Sequence, residues 1–305
     1  MPGVRKRTRA FIKAQDGCDN QCTFCITTIA RGQARSMPQD QILSEIQSAV
    51  AGGTQEAVLT GVQLTAYGKD LSGKLDLKSL VESILIYTDI PRLRLSSLEP
   101  WEINEDFFSL WENPRLCRQI HLPLQSGSNK TLRRMGRPID KQRYASLISK
   151  ARRQIPYIAI TTDIMVGFPG ETEVEFKESL DFIKEMSFAH AHVFTYSLRP
   201  GTPAAHLPDK VHHNIARQRS QQVREIIDYS SNEYKTSFIG KDLVALWETT
   251  TPLEGNRWKM RGITDNYLRV YSLVKQNVWN QLTPVHITEW EDNELRADVL
   301  TDMDG

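Results

Sequence analysis

Apolar residues fall in short blocks at 10–13, 57–64, 93–98, 119–124, 158–166 and 192–196, each about the length of one strand. Between these blocks, 39–51, 75–87, 103–111, 141–154 and 171–186 space their apolar residues three to four apart, the period of a helix with one buried face. Strand and helix alternating in this way predict parallel strands joined by right-handed crossovers. Six units rather than eight predict an α/β fold of partial, open (β/α)6 barrel type, with its functional loops at the C-terminal ends of the strands.

The texture changes after Pro208. A long polar helix is predicted over 212–234, followed by short β runs at 243–248, 258–263, 268–271, 278–280 and 285–287. Gly240, Pro252, Gly255, Asn256, Asp265 and Asn266 supply turns between them. That pattern predicts a small all-β barrel. The boundary is placed near Glu233, giving a catalytic-type unit at 1–232 and a barrel at 233–305.

The chain has 305 residues, 40% hydrophobic and 25% charged, with 38 Lys and Arg against 37 Asp and Glu. This is the composition of an ordinary globular protein and excludes disordered, collagenous and disulfide-stapled classes. No apolar run of about 18 residues offers a membrane span, and the basic N-terminus lacks the apolar stretch of a secretory signal. The expected compartment is therefore the cytoplasm, where clustered cysteines read as metal ligands before disulfides. The near-neutral total hides segregation. From Arg115 to Arg153, eleven basic residues face Asp140 alone, and up to Arg35 seven basic residues, Arg5 and Arg7 among them, face Asp16 and Asp19. Such a field fits either a phosphate-rich partner or solvated helix faces. Arg133, Arg134 and Arg137 are the candidate RNA contacts.

The sharpest chemistry is Gly17-Cys18-Asp19-Asn20-Gln21-Cys22-Thr23-Phe24-Cys25, directly after the first strand. Three thiolates in eight residues select an iron–sulfur cluster or zinc. Structural zinc wants four closed ligands, and the fourth cysteine, Cys117, is far away in a helix-to-strand junction, where it reads as a small buried apolar residue. Three protein ligands on a 4Fe-4S cluster leave one iron open to a substrate.

QDGCDNQCTFC, ARGQARS, LTGVQLTAYG, LRLSSLEP, HLPLQSGSNKTLRRMGR, TDIMVGFPGET and YSLRPGTPA stand in that order along the chain. With these motifs the sequence resembles the radical S-adenosylmethionine (SAM) superfamily, and within it the methylthiotransferases. The terminal barrel resembles the TRAM domain, an RNA-binding barrel of oligonucleotide-binding (OB-like) style. The resemblance implies that Cys18, Cys22 and Cys25 are the metal ligands and hold one 4Fe-4S cluster, whose open iron chelates S-adenosyl-L-methionine. An external electron donor then drives cleavage to a 5′-deoxyadenosyl radical. The candidate cofactor-binding residues are Phe24, beside the adenine or simply packed, Gly61, Ser97, Glu99, Gln125, Ser126 and Gly167. Glu171 is expected at a helix start, where a carboxylate suits the dipole.

Among the methylthiotransferases, QDGC and SSLEPWE most resemble the group acting on N6-threonylcarbamoyladenosine at position 37, in the anticodon loop of tRNA. The alternatives are isopentenyladenosine in tRNA, an aspartate of a ribosomal protein, or radical chemistry without sulfur insertion. From a different class comes a non-catalytic RNA-binding module. Full-length relatives carry an N-terminal domain whose three further cysteines bind an auxiliary 4Fe-4S cluster, and those ligands are absent here. The chain is expected to be the catalytic core of a longer protein, or to work with a separate auxiliary-cluster domain.

Overall fold

The computed structural model describes residues 8–73, 75–291 and 293–300; the basic residues Arg5 and Arg7 lie outside them. In chain order the elements are β1 (Arg9–Asp16), α1 (Thr27–Arg31), β2 (Arg35–Ser36), α2 (Gln39–Ala51), β3 (Glu56–Gly61), α3 (Leu77–Tyr87), β4 (Arg92–Leu95), β5 (Gln119–His121), α4 (Asn129–Arg134), α5 (Lys141–Gln154), β6 (Ala159–Val166), α6 (Glu173–Met186), β7 (His190–Thr195), α7 (His213–Thr236) and the strands β8 (Asp242–Leu253), β9 (Arg257–Thr264), β10 (Arg269–Val274), β11 (Leu282–Glu291) and β12 (Glu294–Val299).

The six parallel strands lie side by side in the order β1-β3-β4-β5-β6-β7. Regular pairing lapses only between β4 and β5. These two are joined by single bridges at Leu93–Leu116 and Ser97–His121, with Cys117 N–H donating to the Leu93 carbonyl at 2.8 Å. No pairing of β7 with β1 occurs among the described residues, so the partial (β/α)6 barrel is open as expected.

Helices close the outer face because their apolar residues recur at helical spacing. α2 buries Ile42, Ile46 and Ala49, and α5 buries Tyr144, Ile148 and Ala151. α3 starts at Leu77 rather than 75, because Asp76 and Ser79 form a reciprocal capping box. α6 begins after a second capping box, Thr172 with Glu175. Glu171 is therefore not at the helix start. It lies before the cap and accepts hydrogen bonds from Gly167 N–H at 2.7 Å and Arg219 at 2.8 Å. The segment expected to be helical at 103–111 forms instead a 3-10 run, Glu105–Glu112, and the strand expected to reach residue 64 stops at Gly61.

Beyond α7, β10-β12-β11-β8-β9 close into a five-stranded barrel around Trp247, Met260, Val270, Val285 and Ile287. One expected strand was misplaced. Residues 278–280 are a turn, and the fifth strand is the acidic-looking β12, whose Leu295 and Ala297 alternate inward. α7 runs unbroken past Glu233, so the boundary expected there falls inside a helix. The small barrel docks on the N-terminal ends of the parallel strands. Arg9 pairs with Glu248 at 2.6 Å, Arg118 with Asp265 at 2.5 Å, and Arg92 donates to the carbonyls of Ile263 and Val244.

Candidate functional site

The cysteine loop is held by backbone bonds that leave its sulfurs facing inward. Gly17 takes φ +74°, and a Cβ there would lie 1.9 Å from the Gln33 carbonyl oxygen, so only glycine fits. Cys18 N–H then donates to the Gly32 carbonyl at 3.1 Å, and Cys25 N–H to the Cys22 carbonyl at 3.1 Å. Thr23 is clamped from two sides: its N–H donates to the Met135 carbonyl at 2.9 Å and its hydroxyl to the Arg134 carbonyl at 2.8 Å, while the Thr23 carbonyl accepts from Ala204 N–H at 2.8 Å. Replacing Gly17 by Ala should therefore displace Cys18. We expect most of the iron bound on anaerobic reconstitution to be lost although all three cysteines remain. Gly240→Ala is the control, because it has a similar positive φ but nothing within 4 Å of the added Cβ. Iron analysis of the two variants decides, and full iron in Gly17→Ala would show that the loop yields.

Cys18, Cys22 and Cys25 line one cavity of about 170 Å³ with Asn20, Phe24, Ser97, Glu99, Gln125, Arg137 and Asp163. Every contributor comes from a C-terminal strand end or the loop after it, apart from Arg137 after α4 and Asp163 within β6. All three cysteines are free. Burial raises the Cys18 thiol, and pushes Cys22 up to about 11 despite the opposing Arg137 charge. Metal binding at such thiols must release protons. Among the described residues no three His, Cys, Asp or Glu side chains gather around a single-ion position. A cubane cluster takes one thiolate per iron, so its ligands surround a volume rather than a point.

The lining also carries buried polar atoms with no hydrogen-bond partner in the protein: Gln125 Oε1, Asn20 Nδ2 and Glu99 Oε2, the last of which has only the Arg137 charge at 3.6 Å. Three such atoms around one cavity, each costing about 1–3 kcal/mol if left empty, fit a polar ligand beside the cysteines. Gln125 adds backbone strain, with φ +70° at a residue other than glycine, held by bonds from its N–H to Asp163 and from Met165 N–H to its carbonyl. Burial raises the Glu99 carboxyl, with Arg137 opposing. Phe24 sets its ring edge-on to Phe168 at 6.4 Å, so its packing and lining roles coexist.

Of the expected cofactor residues, Phe24, Ser97, Glu99 and Gln125 are thus brought together with the cysteines. The other three lie around that cavity rather than on it. Gly61 packs against Gln15 and Leu64, Ser126 accepts from Ser128 N–H at 3.2 Å, and Gly167 lines a separate cavity with Tyr196 and Ala216.

The three arginines divide. Arg133 is exposed. Arg134 pairs with Glu175 at 2.5 Å and is half-buried. Arg137 is buried, stacks 4.6 Å from the Trp101 ring, donates to the Pro123 carbonyl and faces Glu99 at 3.6 Å. It lines the cysteine cavity rather than the outer surface on which Arg133 stands. A run of basic residues looks alike whether the side chains point out or in, because one helical turn separates the two fates. Asp163, not anticipated, was readable as the lone acid inside an apolar strand; Asn20 sits unremarked within the cysteine loop itself.

A cysteine trio at the mouth of an open parallel barrel shares its cavity with buried polar atoms that lack hydrogen-bond partners, an arrangement that suits a bound cluster with a polar ligand beside it. Residues 12–183 match the model of the radical SAM superfamily, and the chain belongs to that superfamily. It is similar to the threonylcarbamoyladenosine tRNA methylthiotransferase MtaB of Bacillus subtilis, 35% identical over 94% of this chain and 64% of the relative. It is likewise similar to the tRNA-2-methylthio-N(6)-dimethylallyladenosine synthase of Clostridium botulinum, 36% identical over 84% of this chain and 58% of the relative. The chain thus spans about 58–64% of the length of these relatives. Among solved structures, the radical SAM methyltransferase TsrM of Kitasatospora setae superposes with TM-score 0.55 at 19% identity, over 66% of this chain and 38% of that one. Coproporphyrinogen III oxidase of Escherichia coli does so with TM-score 0.52 at 14% identity, over 85% and 68%. These share the fold.

Proposed function

We propose that this chain is the catalytic core, residues 1–232, and the TRAM-type RNA-binding barrel, residues 233–305, of a tRNA methylthiotransferase acting on N6-threonylcarbamoyladenosine at position 37. The observation that carries the reading is the single cavity shared by three free cysteines and three unpartnered polar atoms. Both tRNA-modifying relatives support tRNA methylthiolation, and the Bacillus subtilis relative supports threonylcarbamoyladenosine as the substrate nucleoside. Among the described residues no helix is long and apolar enough to cross a membrane, which agrees with a cytoplasmic tRNA-modifying enzyme.

When bound, a 4Fe-4S cluster with SAM supplies reductive cleavage of the sulfonium and a 5′-deoxyadenosyl radical. The protein's part is to hold, orient and shield. Cys18, Cys22 and Cys25 are the cluster ligands. Glu99 and Gln125 offer acceptors to the methionine ammonium or ribose hydroxyls, and Asn20 offers a donor. Arg137 holds Glu99 in place, while Phe24 against Phe168 excludes water from that side. Arg133, with the barrel, faces the tRNA backbone. An external electron donor and an auxiliary cluster, on residues other than these or on a separate domain, complete the reaction, since Cys117 alone remains in this chain.

The test is to reconstitute the chain anaerobically and incubate it with SAM, reductant and tRNA bearing either threonylcarbamoyladenosine or dimethylallyladenosine. 5′-Deoxyadenosine should form, and nucleoside mass spectrometry should find no methylthio group until an auxiliary-cluster protein is added. The group should then appear on threonylcarbamoyladenosine. Absence of 5′-deoxyadenosine, or complete methylthiolation by this chain alone, would overturn the reading.

A further inference from the structure

A cavity of about 390 Å³ lies between the two units, at the N-terminal ends of β6 and β7 and so at the opposite end of the barrel from the cysteines. It is large enough for a small ligand, being inside the usual range of roughly 300–1,000 Å³. Its walls come from both units: His190 from β7, Lys235 from α7, and Asn266, Tyr267, Arg269 and Trp290 from the small barrel. No carboxylate lines it among the described residues. Among the described residues Lys235 and Arg269 form no ion pair, and the Lys235 ammonium stands 4.9 Å from the Trp290 ring.

Asn266 supplies an independent sign of a ligand. The residue is fully buried and its Nδ2 has no partner. The Thr264 hydroxyl accepts from Leu268 N–H at 3.0 Å and donates to Asn266 Oδ1 at 2.5 Å, with the Leu268 carbonyl farther off at 3.4 Å. The Asn266 carbonyl is also occupied, accepting from the Tyr234 hydroxyl at 3.1 Å. What remains is one buried amide donor in the wall of a cavity lined by Lys235, Arg269 and the rings of Tyr234, Tyr267 and Trp290.

We infer that this interface cavity binds a nucleoside monophosphate unit, with the base against Trp290, the phosphate facing Lys235 and Arg269, and Asn266 Nδ2 donating to one of its oxygens. An aromatic face beside two cations, with a buried amide donor and no acid among the described lining residues, is the combination that stacks a base and neutralises its phosphate. The same chemistry is offered by a free mononucleotide and by an unpaired nucleotide of an RNA chain. The site is separate from the cluster cavity and does not depend on the reaction proposed there.

Equilibrium dialysis of the intact chain against AMP, adenosine, inorganic phosphate and the trinucleotide UpApU tests it. AMP should bind saturably and more tightly than adenosine or phosphate. Lys235→Gln and Asn266→Asp, which keeps the Thr264 bond while removing the donor, should each weaken AMP about tenfold, or about 1.4 kcal/mol. Lys275→Gln, exposed elsewhere on the barrel, should leave it unchanged. Cleavage of SAM should be unaltered in all three variants, which separates failure of this site from failure at the cluster. Binding of AMP but not UpApU would identify a free nucleotide as the ligand, and binding of both an RNA nucleotide. No saturable AMP binding, phosphate binding as tightly as AMP, or folded Lys235→Gln and Asn266→Asp proteins with undiminished affinity would overturn the inference.

Discussion

Replacing Cys22 by Ala is expected to abolish both cluster iron and 5′-deoxyadenosine formation, whereas Cys117→Ala should retain both. Cys22 faces the shared cavity with Cys18 and Cys25, and two thiolates cannot hold a cluster that needs three. Cys117 is buried at the β4–β5 junction. Its carbonyl accepts from the Trp111 indole at 2.8 Å and its thiol lies 3.7 Å from Glu56 Oε2, at the other end of the strands. Burial pushes its thiol up to about 12, with Arg94 opposing, so it stays a protonated packing group. Iron and sulfide analysis, followed by chromatography of the nucleoside product, checks both halves. Loss of iron in Cys117→Ala would mean that Cys117 is a ligand after all.

The largest stability effect is expected at Glu56. Its carboxylate is fully buried and accepts from Arg94 at 2.8 and 3.1 Å, and the remaining Arg94 N–H groups reach the carbonyls of Asp265 and Thr264 in the small barrel. Glu56→Ala removes the counter-charge but leaves the guanidinium buried, a change that costs roughly 3–5 kcal/mol. Chemical denaturation should register that loss and break the contact between the units first; a loss below about 1 kcal/mol would show that Arg94 finds another partner. The pH dependence has a definite sign. Burial alone would raise the Glu56 carboxyl, but Arg94, Arg92 and Arg9 outweigh it and hold the carboxyl below its usual 4.5. A group whose pKa is depressed on folding contributes stability above the unfolded value, and that stability is lost as pH falls through the folded value. The wild type should therefore lose stability steeply below about pH 4.5, and Glu56→Gln should show a shallower acid slope.

The alternation of apolar blocks with three-to-four spacing determined, without any tertiary information, the six-stranded open barrel, and a second all-β unit followed from its dense turns. The convergence of Cys18, Cys22 and Cys25 on one cavity was equally legible, because cysteines four and three residues apart after a strand converge through local chain geometry alone. Element types were mostly legible from local pattern, but some helix starts and one 3-10 run were set by caps that the spacing does not show, and other outcomes by distant partners. Residues 103–111 carry helical spacing, yet Asn104 caps a 3-10 run there. β12 looks like an acidic surface segment until β10 and β11 pair with it and turn Leu295 and Ala297 inward. The fate of each arginine was likewise set by neighbours far along the chain: Glu175 for Arg134, Glu99 and Trp101 for Arg137, Glu56 for Arg94. Spacing reports which face of an element a side chain occupies. Only the packed fold brings opposite charges from separate elements close enough to offset the desolvation of burying them, and so decides which cations remain for a ligand.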